Sequence, residues 1–558
     1  MKLMKFIHGN NKVVILLILL LLSVGSCKRD ENLTVVPKGK LTNEITFSTE
    51  GNADLFVNDI YNSLTNEKND YNHTDSYADN SWTKQTHTGA NTVRNGSISP
   101  ANVPNGPNND LWNWENTYTY IRKCNVFFQQ TTLYKSNFSA AWLKSRTAEV
   151  TFFRAYFYSL LLTNYGGVPL ITTPLNNTDG TDIFIARSTI GETVAFIEKD
   201  CDAASADLPA AIDKTGRATK GTALTLKGWI ELFTASPLCN TTNDPAKWAK
   251  AAATNKQVMD LAVYSLFSDY AAQFLAPNNF NKETIFARQY APPSKGSKAE
   301  GQEGPVVVKG TVQCWGNYQP TQSLVDTYSM ANGLPITDPT SGYNPQNPYV
   351  GREPRFYQSI IYDGAPWQGD IITTRVGGNN ARASGGDITT SGYYGRKLLD
   401  ETIQGQTSLA TAPSSSNWII FRYGEVLLSY AEAQNEAVGP DASVYAALLQ
   451  IRQRVRLPNF PAGLTQAQMR VNIRRERRVE LSFEEKRWYD IRRWLITTGP
   501  NGVLTTPEYG IKIVYTGNVA TYTPVNIFNN IFKDYQNWMP IPQGDIAKNP
   551  KLVQNPGY

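Results

Sequence analysis

The chain has 558 residues, 41% hydrophobic and 11% aromatic, which is ample material for a core and excludes global disorder. Charged residues are only 18%. Three units of the formal +5 charge come from Lys2, Lys5 and Lys12 in an N-terminal leader, so neither nucleic acid nor another electrostatic partner is implied. The three histidines, His8, His73 and His87, exclude a His-rich metal centre, and a histidine-activated nucleophile in the mature chain would have to use His73 or His87.

The leader has a basic start followed by ten apolar residues, Val13 to Leu22. A membrane-spanning helix needs about 20, so this run reads as the core of a signal peptide over residues 1–26. It ends in Val24-Gly25-Ser26-Cys27, which resembles a lipobox. Cys27 is then the expected first residue of the mature chain, lipidated on its thiol and acylated on its amine, so that several acyl chains together hold it stably at a membrane. The competing reading is an ordinary secretory peptide with an incidental cysteine. Residues 27–44 are expected to form an extended tether. Lys28-Arg29-Asp30-Glu31 resembles the surface-export signal of some Gram-negative lipoproteins.

Helices are expected over about 49–64, 110–133, 139–165, 188–208, 219–236 and 245–264, from apolar residues at steps of three and four and from Ser/Thr caps. Gly166-Gly167-Val168-Pro169 closes the third of them. Residues 68–109, rich in Asn, Gly, Thr and Ser, read as long loops. Between about 266 and 415 the chain is again dominated by Gly, Pro, Asn, Ser and Thr, with short β-like pieces such as Val306-Val307-Val308. Helices return over about 417–437, 440–455 and 465–496. The fold class is thus mostly α, with minor β. Helical pairs at 45–265 and 416–558 form a TPR-like scaffold within one domain, 45–558, interrupted by a long, irregular, loop-rich insertion.

Several segments carry a resemblance. They are Glu476-Arg477-Arg478-Val479-Glu480-Leu481-Ser482-Phe483-Glu484 running on to Arg487-Trp488-Tyr489-Asp490, Phe153-Arg154-Ala155-Tyr156-Phe157-Tyr158 with Tyr165-Gly166-Gly167-Val168-Pro169, Arg422-Tyr423-Gly424-Glu425, Arg352-Glu353-Pro354-Arg355-Phe356-Tyr357, and the ending Gln554-Asn555-Pro556-Gly557-Tyr558. In this order they resemble the SusD/RagB family of outer-membrane nutrient-binding lipoproteins. The resemblance implies a TPR-like scaffold and an irregular ligand-binding region. It also implies attachment to the outer membrane through the N-terminal lipid, facing outward, and a partnership with a SusC-type TonB-dependent transporter. Oligosaccharides are the implied ligand, with peptides in some branches; these scaffold motifs do not choose between them.

The chemistry within the chain is sparse. Glu476, Glu480 and Glu484 are four apart and share a helical face. A catalytic carboxylate pair of a glycoside hydrolase is one reading. A buried network neutralised by Arg487 and neighbouring arginines is the favoured one, because the same face carries core aromatics. Gly216 to Thr222 lacks the lysine of a nucleotide-binding loop, and neither a GxSxG nor an HExxH motif occurs. No enzyme activity, cofactor or metal is expected, and His73 and His87 read as solvated loop residues. Of the twelve tryptophans, Trp82, Trp315 and Trp367 lie in polar, Gly- or Asn-rich stretches. Sugar rings present apolar C–H faces to exposed aromatic planes while amide side chains bind hydroxyls. Trp82, Trp315 and Trp367, helped by Tyr318, are therefore the candidate ligand-binding residues. Loop packing is the alternative for each. The four remaining cysteines are scattered and read as small buried hydrophobes.

Overall fold

Capping side chains set where the helices begin. Thr49, Asn113, Ser139, Thr189, Thr219 and Asp244 each accept a hydrogen bond from a first-turn backbone N–H, satisfying a donor the helix itself leaves open. The helices that follow are α1 (Glu50–Asn62), α2 (Trp114–Leu133), α3 (Ala140–Tyr165), α4 (Ile190–Asp207), α5 (Lys220–Ala235) and α6 (Pro245–Asp260). At the end of α3, Gly166 adopts φ +80°, a left-handed turn that glycine makes without steric cost. The computed structural model describes residues 42–69, 73–83, 85, 89–104, 113–176, 182–210, 215–382 and 388–558. The leader, Cys27, most of the tether, His87 and Trp112 lie outside the described residues.

Successive helices from α2 to α6 pack side by side, and α6 then packs on α7 (Tyr423–Val438), which is followed by α8 (Ala442–Arg454) and α9 (Gln466–Glu480). The scaffold is therefore one continuous stack of helices, and the insertion leaves it after α6 and returns at α7. One large core joins both halves: Phe152, Phe153, Leu161 and Leu232 are fully buried with Leu427, Leu448 and Trp488. Three smaller clusters draw on residues of the insertion.

Three local readings change. Residues 418–422 are a strand rather than the first turn of α7; Trp418–Arg422 pairs antiparallel with Thr284–Arg288, and all five of its residues are buried. The helix expected over 465–496 breaks at 481–486, where Phe483 (φ +63°) and Glu485 (φ +60°) take left-handed conformations, and restarts as α10 (Arg487–Arg493). The C-terminal scaffold also carries a long hairpin, Pro507–Thr516 with Val519–Asn529, turned at Gly517-Asn518. Its first strand alternates buried and exposed residues over much of its length, so only one face meets the core. The four cysteines among the described residues are free; Cys124, Cys201 and Cys314 are buried and Cys239 is half-buried.

Candidate ligand-binding face and the buried ion network

Trp82 and Trp315 are carried by neighbouring segments. Ser81–Trp82 forms a short strand paired antiparallel with Gln319–Pro320, with Trp82 opposite Gln319. Gln85 Nε2 donates to Asn317 Oδ1 at 2.9 Å, tying the loop after Trp82 to the segment that carries Trp315. The backbone N–H groups of Trp315 and Asn317 donate to the carbonyls of Gly301 and Gln302. Gly316 between them has φ +63°, and a Cβ there would come within 2.7 Å of the Tyr394 ring, so the tight turn that presents Trp315 requires glycine. Trp315 is 42% exposed.

Trp82 is half-buried. One neighbour is Phe528 of the hairpin, at 5.0 Å between ring centroids. Another is the Arg94 guanidinium, 5.3 Å from the Trp82 ring. Arg94 is fully buried and donates to the carbonyls of Ser76, Ala78 and Ser81, clamping the backbone that leads into Trp82. Asn317 Nδ2 is buried without a hydrogen-bond partner, an unused donor beside the tryptophan segment. The face thus combines an exposed indole, a half-buried indole and the half-buried Gln85 amide, while the Asn317 and Gln319 side chains are buried.

The other two candidates are corrected by burial. Trp367 is 1% exposed and packs among Val306, Val308, Ile361 and Tyr394, because Pro366–Trp367 and Asp370–Ile371 fold into a tight hairpin over Gln368 (φ +51°) and Gly369 (φ +74°) that turns the indole inward. Tyr318 is 5% exposed; its ring stacks on His73 at 4.0 Å and its hydroxyl donates to Glu485. Neither can stack on a sugar without leaving its packing. The hairpin supporting Trp82, and Arg94, were not recognised from the sequence. The alternation of Tyr509, Ile511, Ile513 and Tyr515 before Gly517-Asn518 is the signal that marks the hairpin.

His73 is buried rather than solvated: its Nε2 lies 2.9 Å from Glu303 and its Nδ1 3.4 Å from Glu485. Burial alone would lower its pKa, but the Glu303 and Glu485 carboxylates outweigh that and hold it well above the ordinary histidine value.

The acidic triplet is a buried ion network. Glu480 is fully buried and meets Arg355 at 2.9 Å, Arg422 at 2.7 Å and also Arg454. Glu476 pairs with Arg355 and Arg452, and Glu484 with Arg422 and Lys397. Burial raises the Glu480 pKa, but Arg454, Arg422 and Arg355 together drive it far below the carboxylate range. The neutralising partners differ from those expected: Arg487 pairs with Asp79 instead, at 2.7 Å. The partners of the triplet come from the insertion, the strand before α7, and α8, so the network bolts these parts to the end of α9. Carboxylates held this way cannot flank a scissile bond.

A helical stack bearing an exposed aromatic face defines a binding scaffold. Family models for the SusD family and for "Starch-binding associating with outer membrane" match residues 282–558 and 48–230. The chain belongs to the SusD family. Its similarity to SusD-like protein P2 of Formosa agariphila is 34% identity over 156 residues, 26% of each chain. With a SusD-like protein of Bacteroides ovatus it shares 24% over 484 residues, covering 79% of this chain and 80% of that one. A solved SusD-like protein of Bacteroides fragilis superposes with a TM-score of 0.79 at 28% identity, over 93% of this chain and 99% of the other. A solved structure described as a laminarin binding SusD-like protein shares the fold at a TM-score of 0.66 and 21% identity, over 92% and 100% of the two chains. No helix among the described residues is long and apolar enough to cross a membrane.

Proposed function

We propose that this chain is a non-catalytic surface lipoprotein that captures oligosaccharides on the face formed by Trp82 and Trp315 and delivers them to a SusC-type TonB-dependent transporter. The observation that carries the reading is Trp315, exposed on a glycine-enforced turn with the half-buried Gln85 tied to the same segment through Asn317. The indole supplies a plane for the C–H face of a sugar ring, and the half-buried Gln85 amide supplies polar contacts for hydroxyls. The starch-binding description of the matching family model and the laminarin-binding neighbour support glycans as the ligand. Because the insertion is held by the scaffold, little loop ordering is required on binding.

The test is calorimetric titration with starch oligosaccharides and laminarin oligosaccharides, set against a peptide library. Binding to at least one glycan is expected. Trp315→Ala and Trp82→Ala should each weaken it by about 5- to 150-fold, corresponding to about 1–3 kcal/mol for one aromatic stacking contact. Binding confined to peptides, or glycan affinity untouched by Trp315→Ala, would overturn the reading.

Anchoring rests on Cys27. Mass spectrometry of native protein from membranes should find an acylated N-terminal Cys27, and mild detergent extraction should co-purify a large β-barrel partner. Cys27→Ala should shift the protein to the soluble fraction, as expected when acyl chains are the sole anchor. An unmodified terminus, or a start elsewhere, sinks this part.

A further inference from the structure

We propose that His73 is a positioning residue for the ligand face and that glycan affinity depends on its carrying a charge; this rests on Trp82 and Trp315 being the glycan site. The imidazolium joins the segment that carries Trp82 to both supports of the turn that carries Trp315. His73 opens residues 73–83, which lead into the Ser81–Trp82 strand. Its Nε2 lies 2.9 Å from Glu303 Oε1. Glu303 ends a short helix, Ala299–Glu303, whose Gly301 and Gln302 carbonyls accept the backbone N–H groups of Trp315 and Asn317. Its Nδ1 lies 3.4 Å from Glu485 Oε1, and the same oxygen accepts from the Tyr318 hydroxyl. The Tyr318 ring, on the same segment as Trp315, stacks on the imidazole with centroids 4.0 Å apart and planes at 19°.

Charge decides whether these contacts can coexist. A protonated imidazole has two N–H donors, one for each carboxylate, whereas a neutral one has a single donor and a lone pair. Losing the proton therefore sets a lone pair against Glu303 or Glu485. Glu485 has other donors, since the Thr74 N–H and hydroxyl and the Asp75 N–H all donate to its Oε2. Among the described residues the Glu303 carboxylate has no hydrogen-bond partner besides His73, and its Oε2 is buried with none. The neutral ring thus keeps its proton toward Glu303 and turns its lone pair on Glu485 Oε1, the atom that holds Tyr318. Repulsion there displaces the Tyr318 ring and, through it, the Trp315 turn.

The surrounding groups keep the charge in place at neutral pH. Burial acts against the charged ring, but Glu303 and Glu485 outweigh it and hold the pKa well above the ordinary histidine value. Glu67 also faces the cluster, with a carboxylate oxygen within 4.8 Å of one ring nitrogen. Asp75 changes charge near neutrality, because burial and Glu485 push it up to about 7; its Oδ2 accepts from Asn80 and from the Phe483 N–H. Tyr318 stays neutral, since burial and Glu485 raise its pKa well above the ordinary tyrosine value. Arg478 and Arg487, which reach the same segment, are taken by Asp79. A group whose folded pKa is raised loses its contribution as pH rises through that value, so the effect of His73 is lost on the alkaline side.

The test is calorimetric affinity for starch and laminarin oligosaccharides from pH ~6 to pH ~10, with hydrogen-exchange protection of the Trp315 and Asn317 amides followed over the same range without glycan. Histidine ring NMR reports when His73 titrates, since only His73 and His87 remain after the leader. Affinity and protection should hold through neutrality and fall as the His73 resonance titrates, affinity by about tenfold, the scale of a lost hydrogen bond to a charged group. Glu303→Gln should move both falls to lower pH, because one of the two carboxylates that retain the proton is gone. His73→Gln should bind about tenfold more weakly at neutral pH and show no alkaline fall. If it does not fold, the wild type and Glu303→Gln decide. Affinity and protection unchanged across the His73 titration, or an alkaline fall whose midpoint Glu303→Gln leaves in place, would overturn the proposal. Protection lost with the titration in a protein that binds no glycan would keep this role for His73 and overturn only the assignment of the face to glycans.

Discussion

Replacing Glu480 by alanine is expected to destabilise the protein by about 3–5 kcal/mol, because it removes the shared partner of a buried ion network and leaves its arginines with too little buried negative charge. Glu480 serves Arg355, Arg422 and Arg454 at once, and all four side chains are at most 3% exposed. The substitution leaves three guanidinium groups in the interior sharing the remaining acids Glu283, Glu353, Glu476 and Glu484. A control lies on the surface, where Lys256 and Asp260 pair with about half of each side chain exposed; Asp260→Ala should leave the urea midpoint unchanged. A Glu480→Ala midpoint equal to that of the wild type would refute the view that this network joins the insertion to the scaffold.

The same groups set the pH dependence. Glu480, Glu476 and Glu484 have lowered pKa values because their arginine partners, with Lys397 for Glu484, outweigh burial; Arg493 likewise holds Glu432 at about 2. Their contribution is present above the unfolded carboxylate value and is lost as pH falls through the folded values. Glu508 and Glu231 behave oppositely: burial raises each to about 7, so folding becomes less favourable as pH rises from the unfolded value toward 7. The two limbs place maximum stability on the acidic side of neutrality. Urea midpoints should therefore be higher near pH ~5 than near pH ~3 or pH ~8.

Trp367→Ala should cost about 3–5 kcal/mol of stability, the usual penalty for emptying a large aromatic site in a core. Its indole is enclosed by Val306, Val308, Ile361, Ala365 and Tyr394, a cluster too small to collapse around the void without moving the strands it joins. Glycan affinity per folded molecule should stay unchanged. Trp315→Ala should behave in reverse, with an unchanged melting temperature, since 42% of the residue already faces solvent. Melting temperature and affinity measured on both variants separate packing from recognition. A stable Trp367→Ala protein with weakened glycan binding would place the ligand at the hairpin instead.

Local pattern alone determined much of this protein. Helical periodicity and Ser/Thr/Asp caps located α1 to α6 to within a few residues at their starts, because a cap and an apolar stripe act within one or two turns. The scaffold motifs carried the family for the same reason: they are runs of neighbouring residues. The long-range features needed tertiary structure. Trp315 and Trp367 sit in similar polar, glycine-containing stretches, yet one indole faces solvent and the other is sealed, since the direction of a loop side chain depends on what the fold packs against it. His73 read as a solvated loop residue, but Glu303 and Glu485, 230 and 412 positions away, close around it. The partners of Glu480 were equally invisible: charge alternation along a helix shows that acids need bases, whereas only the packed chain decides that Arg355, Arg422 and Arg454 supply them.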